Sequence, residues 1–342
     1  MRSVSVLASP LRRIHPTGAC RSARRCFSSS RDLQASWGFI GLGQMGYSMA
    51  KNLRAKIPAE DTLFVHDVNT AATERFSEEH PHGVSVASSV REVAENAETI
   101  ITSLPAPQHV KAVFKEMLEP ATLLTVGTVK KERFFIDCST IDPKTSGQVA
   151  EAASSSGQGK FIDAPMSGGV VGAKAGTLTF MIGAQPEAVE GATRVLSMMG
   201  KRVVHLGGPG AGLKGKLANN YLLALNNIAT AEAMSMGVKW GLDPKALAGM
   251  INTATGKCWP SEVNNPVPGV VETSPASRGY EGGFGISLAN KDLKLALQAA
   301  ADANVKLALG EPARALYDAA EQADNCKGKD FSVVYRYLGG KE

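Results

Sequence analysis

The sequence is poor in cysteine and in aromatic residues, and it has no long apolar run. Five of its 342 residues are cysteines, and 6% are aromatic. Beyond residue 31 there are three cysteines, Cys138, Cys258 and Cys326, without paired spacing, which favours free thiols over a disulfide framework. No stretch approaches the roughly 18 apolar residues that a membrane-spanning helix requires, so we expect no membrane partner.

Histidine is also scarce. The six histidines form no HxxxH pattern and no cluster with cysteine, which are the spacings typical of zinc sites. We therefore expect no metal ion. In any reaction, proton transfer is then expected to fall to a side chain rather than to a metal-bound water.

Acidic residues are absent from the first 31 residues, which contain seven arginines and many serines. This composition, with apolar residues that can share one face, is typical of a mitochondrial transit peptide and predicts location in the matrix. A disordered basic tail is the alternative. Without these arginines, 30 basic residues stand against 32 acidic ones, so the rest of the chain has a net charge of −2. That balance gives no charge signature of nucleic-acid binding.

Short apolar runs alternate with helical segments from residue 36 to about residue 208. This alternation predicts an α/β fold, a Rossmann-type doubly wound sheet that is mainly parallel, with the last strands added in mixed orientation. The predicted strands cover residues 37–40, 63–66, 99–103, 134–137, 160–164, 179–183 and 202–206. The predicted helices between them cover residues 70–77, 90–95, 108–117, 144–154 and 186–199.

A glycine- and proline-rich boundary at residues 207–212 ends this alternation. A long helical pattern at 213–239 follows, and its apolar residues nearly encircle it. That distribution implies burial against other helices or a second subunit, so we expect a homodimer or homotetramer. Further helices are predicted at 244–252, 285–303 and 312–322. Residues 258–283 are expected to form an ordered loop anchored by Trp259, Val263, Val267, Val270 and Tyr280.

These patterns divide the chain into three parts. Residues 1–31 are the predicted transit peptide, and residues 32–208 are expected to form the α/β domain, whose glycine-rich turn at residues 41–46 predicts dinucleotide binding. Residues 209–342 are expected to form an all-α domain for substrate binding and oligomerisation.

A glycine-rich turn follows the first predicted strand. Gly41 permits the turn, Gly43 lets backbone approach a pyrophosphate, and Gly46 lets the next helix pack on the strand. The free N–H groups of that helix then face the phosphates. An ordinary turn is the alternative, because this spacing alone is a weak signal. The turn comprises Gly41, Leu42, Gly43, Gln44, Met45 and Gly46.

Asp67 ends the second predicted strand, 21 residues after Gly46. A carboxylate there accepts the ribose hydroxyls of NAD and repels the additional phosphate of NADP, so NAD is the predicted cofactor. A surface aspartate in a turn is the alternative.

Three further turns follow predicted strands on the edge where ligands bind. Leu104 and Pro105 follow the third strand, and Thr140 follows the fourth, where simple turn or helix-cap chemistry is an equal alternative. Ser167, Gly168 and Gly169 form a second glycine-rich turn, whose N–H groups and hydroxyl suit a carboxylate. A flexible connection is the alternative there.

Lys216 and Asn220 lie four residues apart and so share one face of the long predicted helix. Burying them is costly unless they are paired or functional, and a lysine in a dry cleft can act as a general acid or base. An exposed lysine near a helix start is the alternative. Lys291 and Asp292 fit a salt-bridged surface pair on pattern alone.

Together these segments resemble the β-hydroxyacid dehydrogenase family, in family order across residues 36–340. The resemblance implies that Lys216 is catalytic and that Asn220 orients the substrate. It also implies that Ser167, Gly168 and Gly169 bind the substrate carboxylate. The cofactor site is implied to include Leu104, Pro105, Thr140 and Lys291. His109 stands where close relatives often carry asparagine, and a polar cofactor contact is expected there.

Four later segments narrow the resemblance within the family: residues 256–259, 265–270, 280–284 and 330–334. They imply NAD-dependent oxidation of a small 3-hydroxy acid, (S)-3-hydroxyisobutyrate, to methylmalonate semialdehyde in valine breakdown. One alternative is an NADPH-dependent glyoxylate or succinic semialdehyde reductase of the same family, against which Asp67 argues. The other is a non-catalytic nucleotide-binding oligomer, against which Lys216 argues.

Overall fold

The computed structural model describes residues 35–119 and 133–342. The predicted transit peptide, residues 1–31, lies outside the described residues. The predicted alternation of strands and helices is confirmed from residue 36 onward.

The α/β part contains a nine-stranded sheet. Strands β1 to β6 are parallel in the order β3-β2-β1-β4-β5-β6. Strand β8 is antiparallel to β6 and β7 but parallel to β9, which confirms the mixed orientation of the late strands. The strands are β1 Ser36–Ile40, β2 Thr62–His66, β3 Val84–Val86, β4 Thr99–Thr102, β5 Arg133–Asp137, β6 Gly159–Asp163, β7 Met166–Ser167, β8 Leu178–Gly183 and β9 Gly200–Gly207.

Helices cover both faces of this sheet, because its strands are apolar on both sides. Phe39 belongs to one buried cluster and its neighbour Ile40 to another, as the two-residue period of a strand requires. Ile101 and Ile100 alternate in the same way. The helices of this part are α1 Gly46–Arg54, α2 Thr70–Glu79, α3 Val90–Asn96, α4 Pro107–Leu118, α5 Pro143–Ser155, α6 Gly169–Ala175 and α7 Pro186–Leu196.

The C-terminal domain is helical and is organised around a 29-residue helix, α8. At about 1.5 Å per residue this helix is about 44 Å long. It begins next to β8 and packs against α11 and the smaller helices. The helices are α8 Ala211–Lys239, α9 Pro244–Thr253, α10 Trp259–Glu262, α11 Ile286–Asp302, α12 Gly310–Gln322 and α13 Val334–Tyr337. Among all the described helices, not one is both long and apolar enough to cross a membrane.

Some local predictions were wrong. Strands β3 and β7 were not predicted, and α6 stands where only a turn was expected. In the expected loop at 258–283, Val267 and Tyr280 are buried as predicted, but Trp259 and Val263 are exposed. The loop also contains α10 and a short 3-10 helix, Pro275–Arg278. Elements of two to four residues are too short to show a period, so tertiary packing decides them, whereas α6 contains Gly169 and Gly172, which are poor helix formers.

Candidate active site

The glycine turn between β1 and α1 has the geometry that a dinucleotide requires. Gly41 has φ +98°, and a Cβ there would collide with the carbonyl oxygen of Ser103. A Cβ on Gly46 would collide with the carbonyl oxygen of Gly41, so this glycine permits α1 to approach the strand. A Cβ on Gly43 would meet nothing within 4 Å, which leaves its backbone open to a ligand.

Asp67, just after β2, is tied to this turn. Its Oδ2 accepts the backbone N–H of Leu42 at 2.5 Å, and its Oδ1 accepts that of Asn69 at 2.7 Å. A pocket of about 390 Å³ lies beside the turn. It is lined by Gly43, Gln44, Asn69, Arg75 and other residues of α1, α2 and α6. The glycine turn, the adjacent carboxylate and the open pocket therefore fit the adenosine half of NAD.

The turns after β4 and β5 are joined by hydrogen bonds. Buried Asp137 accepts the hydroxyls of Thr102 and Ser139 at 2.7 and 2.6 Å. The Ser139 hydroxyl in turn accepts the backbone N–H of Leu104 at 2.8 Å. Because burial outweighs these bonds, the pKa of Asp137 is raised to about 6. The turn that contains Leu104 is thus joined to the end of β5.

Lys291, on α11, connects the helical domain to these turns. Its Nζ donates to the carbonyl oxygen of Thr140 at 2.8 Å and lies 3.5 Å from that of Pro105. It also pairs with Asp292 at 3.2 Å. The ion pair predicted between Lys291 and Asp292 is present, but it is not a surface pair, because Asp292 is only 3% exposed. His109 is exposed in the first turn of α4.

The second glycine turn forms the start of α6. Gly168 and Gly169 have φ values of +134° and +60°, a conformation that side chains disfavour. Ser167 precedes them at the end of β7, which pairs with β8 through Thr179. The side chain of Asn52 on α1 donates to the carbonyl oxygen of Ala173 at 2.7 Å and so connects α6 to α1.

Lys216 and Asn220 are both buried on α8, and Lys216 is 7% exposed. An exposed lysine, the alternative from the sequence, is therefore excluded. Asn220 donates to Oδ2 of Asp292 on α11 at 2.6 Å, a contact that joins the two helices. Burial lowers the pKa of Lys216 to about 8; Asp292 opposes this shift and Lys291 adds to it. A lysine that titrates there can exchange a proton near neutral pH.

Two carboxylates at this site were not among the predicted site residues. Asp292 joins Asn220 to Lys291, and buried Asp163, at the end of β6, accepts N–H groups at the start of α8. Each stands beside apolar residues that are buried, such as Leu293 and Ile162. An acid that ends an apolar run is the signal that could have identified Asp163, whereas Asp292 lies among Asn290, Lys291 and Lys294 and carries no such signal. Within residues 35–119 and 133–342, no three His, Cys, Asp or Glu side chains are placed to hold a metal ion.

Two family profiles cover the chain. Residues 36–207 match the profile described as the NAD-binding domain of 6-phosphogluconate dehydrogenase. Residues 210–338 match the profile described as the NAD-binding domain of NADP-dependent 3-hydroxyisobutyrate dehydrogenase. The two matches meet where the sheet ends and α8 begins.

Named relatives match over nearly the whole length. A probable mitochondrial 3-hydroxyisobutyrate dehydrogenase of Dictyostelium discoideum is 45% identical over 307 residues, 88% of this chain and 90% of the relative. The mitochondrial 3-hydroxyisobutyrate dehydrogenase of Homo sapiens is 42% identical, covering 89% and 87%. The solved structure of Mycobacterium tuberculosis 3-hydroxyisobutyrate dehydrogenase with L-serine is 36% identical, with a TM-score of 0.80 over 90% of this chain and 99% of that one.

Proposed function

The chain belongs to the 3-hydroxyisobutyrate dehydrogenase family, and from this premise we propose that it oxidises (S)-3-hydroxyisobutyrate to methylmalonate semialdehyde. It is an oxidoreductase with NAD-binding domains. The observation that carries the proposal is buried Lys216, whose pKa of about 8 suits proton exchange, beside the Asn220–Asp292 pair. The reaction is a step of valine breakdown.

Lys216 is the proposed general base. Its neutral Nζ takes the proton of the substrate C3 hydroxyl as the C–H bond at that carbon breaks. Bound NAD supplies the hydride acceptor. The C3 hydroxyl oxygen becomes the aldehyde oxygen, and Lys216 finishes the step as an ammonium, which returns its proton to solvent. In the reverse direction the ammonium form donates the proton.

The remaining predicted residues are proposed to bind and orient. Asn220, fixed by Asp292, hydrogen-bonds the substrate beside Lys216. Ser167, Gly168 and Gly169 take the substrate carboxylate at the start of α6. The cofactor is held by Gly41, Leu42, Gly43, Gln44, Met45, Gly46, Asp67, Leu104, Pro105, Thr140 and Lys291, and a contact with His109 stays a prediction.

NAD is proposed over NADP because of Asp67. Its carboxylate stands beside the glycine turn and already accepts the N–H of Leu42. A ribose hydroxyl can donate to this carboxylate, whereas a 2′-phosphate would place a second anion against it. The alternative, an NADPH-dependent reductase of the same family, requires the opposite preference.

The test is a kcat/KM comparison over a substrate panel. We expect kcat/KM for (S)-3-hydroxyisobutyrate with NAD to be higher than kcat/KM for serine, 3-hydroxypropionate or 4-hydroxybutyrate. We also expect it to be higher than kcat/KM for (S)-3-hydroxyisobutyrate with NADP. A clear preference for NADPH and a semialdehyde would contradict the proposal, and no turnover with any pair would favour the non-catalytic alternative.

We also propose that the protein works as a homo-oligomer in the mitochondrial matrix. Large apolar side chains are exposed on the helical domain, including Leu222, Met236 and Trp240, and Trp240 is 71% exposed. The arginine-rich residues 1–31 and the mitochondrial names of eukaryotic relatives support the location. The proposed domain boundary lies between residues 208 and 209. Light scattering of the purified protein tests the oligomeric state, and a monomer would contradict the proposal. Import into isolated mitochondria tests the location, and a protein that is not imported would contradict it.

A further inference from the structure

Asp163 joins the strand that leads to the proposed carboxylate-binding turn to the start of α8. It ends β6, is 1% exposed, and holds the first turn of α8 with both oxygens. Oδ1 accepts the N–H of Gly210 at 2.6 Å, and Oδ2 accepts the N–H of Leu213 at 2.9 Å. A carboxylate at this position also meets the positive end of the dipole of a 29-residue helix.

The surroundings of this carboxylate leave no room for another side chain. A Cβ on Gly183 would collide with Oδ1 of Asp163. A Cβ on Gly212 would lie 2.9 Å from Oδ2 and would collide with the carbonyl oxygen of Met181. Gly210, whose N–H donates to the carboxylate, adopts φ +83°, a conformation that side chains disfavour. The junction between β8 and α8 is therefore shaped around Asp163.

The same carboxylate is close in the chain to both substrate-binding segments. Ser167 follows Asp163 by four residues and leads into the second glycine turn. Lys216 follows Leu213 by three residues, about one helical turn. Strand β8 contacts both, because Thr179 pairs with Ser167 and Met181 packs against Gly212.

We propose that Asp163 is a positioning residue for the dehydrogenase reaction. By holding the first turn of α8 against β6 and β8, it fixes Lys216 relative to the turn that binds the substrate carboxylate. This inference rests on the proposed role of Lys216. A misplacement of about 1 Å can cost on the order of a hundredfold in rate, so a firm attachment at this point matters to catalysis.

The test variant is Asp163→Asn, which keeps the shape but leaves one oxygen to accept two N–H groups. We expect kcat to fall on the order of tenfold to a hundredfold, with little change in NAD affinity. If the first turn of α8 loosens, water reaches Lys216 and favours its charged form. The acidic limb of the kcat–pH profile should therefore move to higher pH. The charged neighbours of Lys216, Asp292 and Lys291, are unchanged in this variant.

Asp330→Asn is the matched control. Asp330 is another buried carboxylate that accepts two backbone N–H groups, those of Phe284 at 2.7 Å and Ser332 at 2.9 Å. It lies within the helical domain and has no part in the proposed chemistry. This control should lower thermal stability while leaving the pH profile in place. An equal shift of the profile in both variants would overturn the proposal.

A double-mutant cycle with Lys216→Ala separates positioning from general stability. If Asp163 acts through Lys216, adding Asp163→Asn to Lys216→Ala should change the residual kcat by less than about twofold. Independent, multiplying losses would overturn the inference. If Asp163→Asn does not fold, Gly210→Ala is the second variant. It strains the hydrogen bond between the Gly210 N–H and Asp163 without a steric clash, and we expect its loss in kcat to be smaller than that expected for Asp163→Asn.

Different results would contradict the proposed role of Lys216 and the positioning role of Asp163. Wild-type kcat in Lys216→Ala would refute the proposed function's mechanism whatever Asp163 does. Impaired Lys216→Ala together with wild-type kcat and pH profile in folded Asp163→Asn would refute only the positioning role.

Discussion

The burial of Lys216 sets the pH dependence of the reaction. Oxidation needs the neutral amine, so activity is present above the pKa of Lys216 and is lost as pH falls through it. With a pKa of about 8, roughly a tenth of Lys216 is neutral at about pH 7 and roughly nine-tenths at about pH 9. We therefore expect kcat for oxidation to rise about tenfold over this range and then to level off.

A lysine with the ordinary value of 10.5 behaves differently. Its neutral fraction would rise about a hundredfold over the same range, and kcat would still be climbing at about pH 9. Reduction of the semialdehyde needs the ammonium form, so its rate should fall as pH rises above about 8. Because the rates of oxidation and reduction are expected to change with pH in opposite directions, the titration of one group, Lys216, accounts for both.

The assay is the initial rate at saturating substrate, followed as NADH formation for oxidation and as NADH consumption for reduction. Lys216→Arg is the matched variant, because its guanidinium keeps the charge but does not deprotonate in proteins. It should lose most of kcat together with the acidic limb. An acidic limb of the kcat–pH profile that is unchanged in Lys216→Arg would contradict the assignment of this limb to Lys216. An acidic limb centred near pH 10.5 in the wild-type protein would contradict it as well.

Three other perturbations follow from the same geometry. Asp67→Ala should lower kcat/KM with NAD by about tenfold or more and raise kcat/KM with NADP, because a charged hydrogen-bond acceptor is lost. Steady-state kinetics with each cofactor tests this, and an unaltered ratio of the two kcat/KM values would contradict the role of Asp67 in cofactor preference. Lys291→Ala should raise KM for NAD about tenfold by freeing the Thr140 turn, whereas Lys294→Ala, which breaks an exposed pair with Asp318, should not. Burial raises the pKa of Asp137 from 3.8 to about 6, so the folded protein loses stability as pH rises through that window. The unfolding free energy of Asp137→Asn relative to wild type should improve by up to about 3 kcal/mol from about pH 4 to about pH 7 in urea titrations, and a pH-independent difference would be inconsistent with a raised pKa.

Much of the α/β fold could be predicted because its signals are local. Each buried strand is a short apolar run, and the glycines at 41, 43 and 46 have spacing that the turn itself requires. The lysine and asparagine of α8 were also predictable, since a four-residue spacing places them on one face.

The carboxylates of the site depend on contacts between distant parts of the chain. Asn220 and Asp292 are 72 residues apart, and Asp163 and Gly210 are 47 residues apart. No local period specifies which of several acids is buried at such a contact. Strand β7 was not predicted because two residues are too few to display a pattern, and helix α6 was not predicted because Gly169 and Gly172 within it are poor helix formers.

In the proposed oxidation of (S)-3-hydroxyisobutyrate by NAD, Lys216 accepts the hydroxyl proton. Single-turnover NADH formation by Lys216→Ala tests this role, with NAD binding and thermal stability measured on the same sample. We expect a loss of about a hundredfold or more in the hydride-transfer rate, with NAD affinity and folding retained. A rate close to that of the wild-type protein would contradict it.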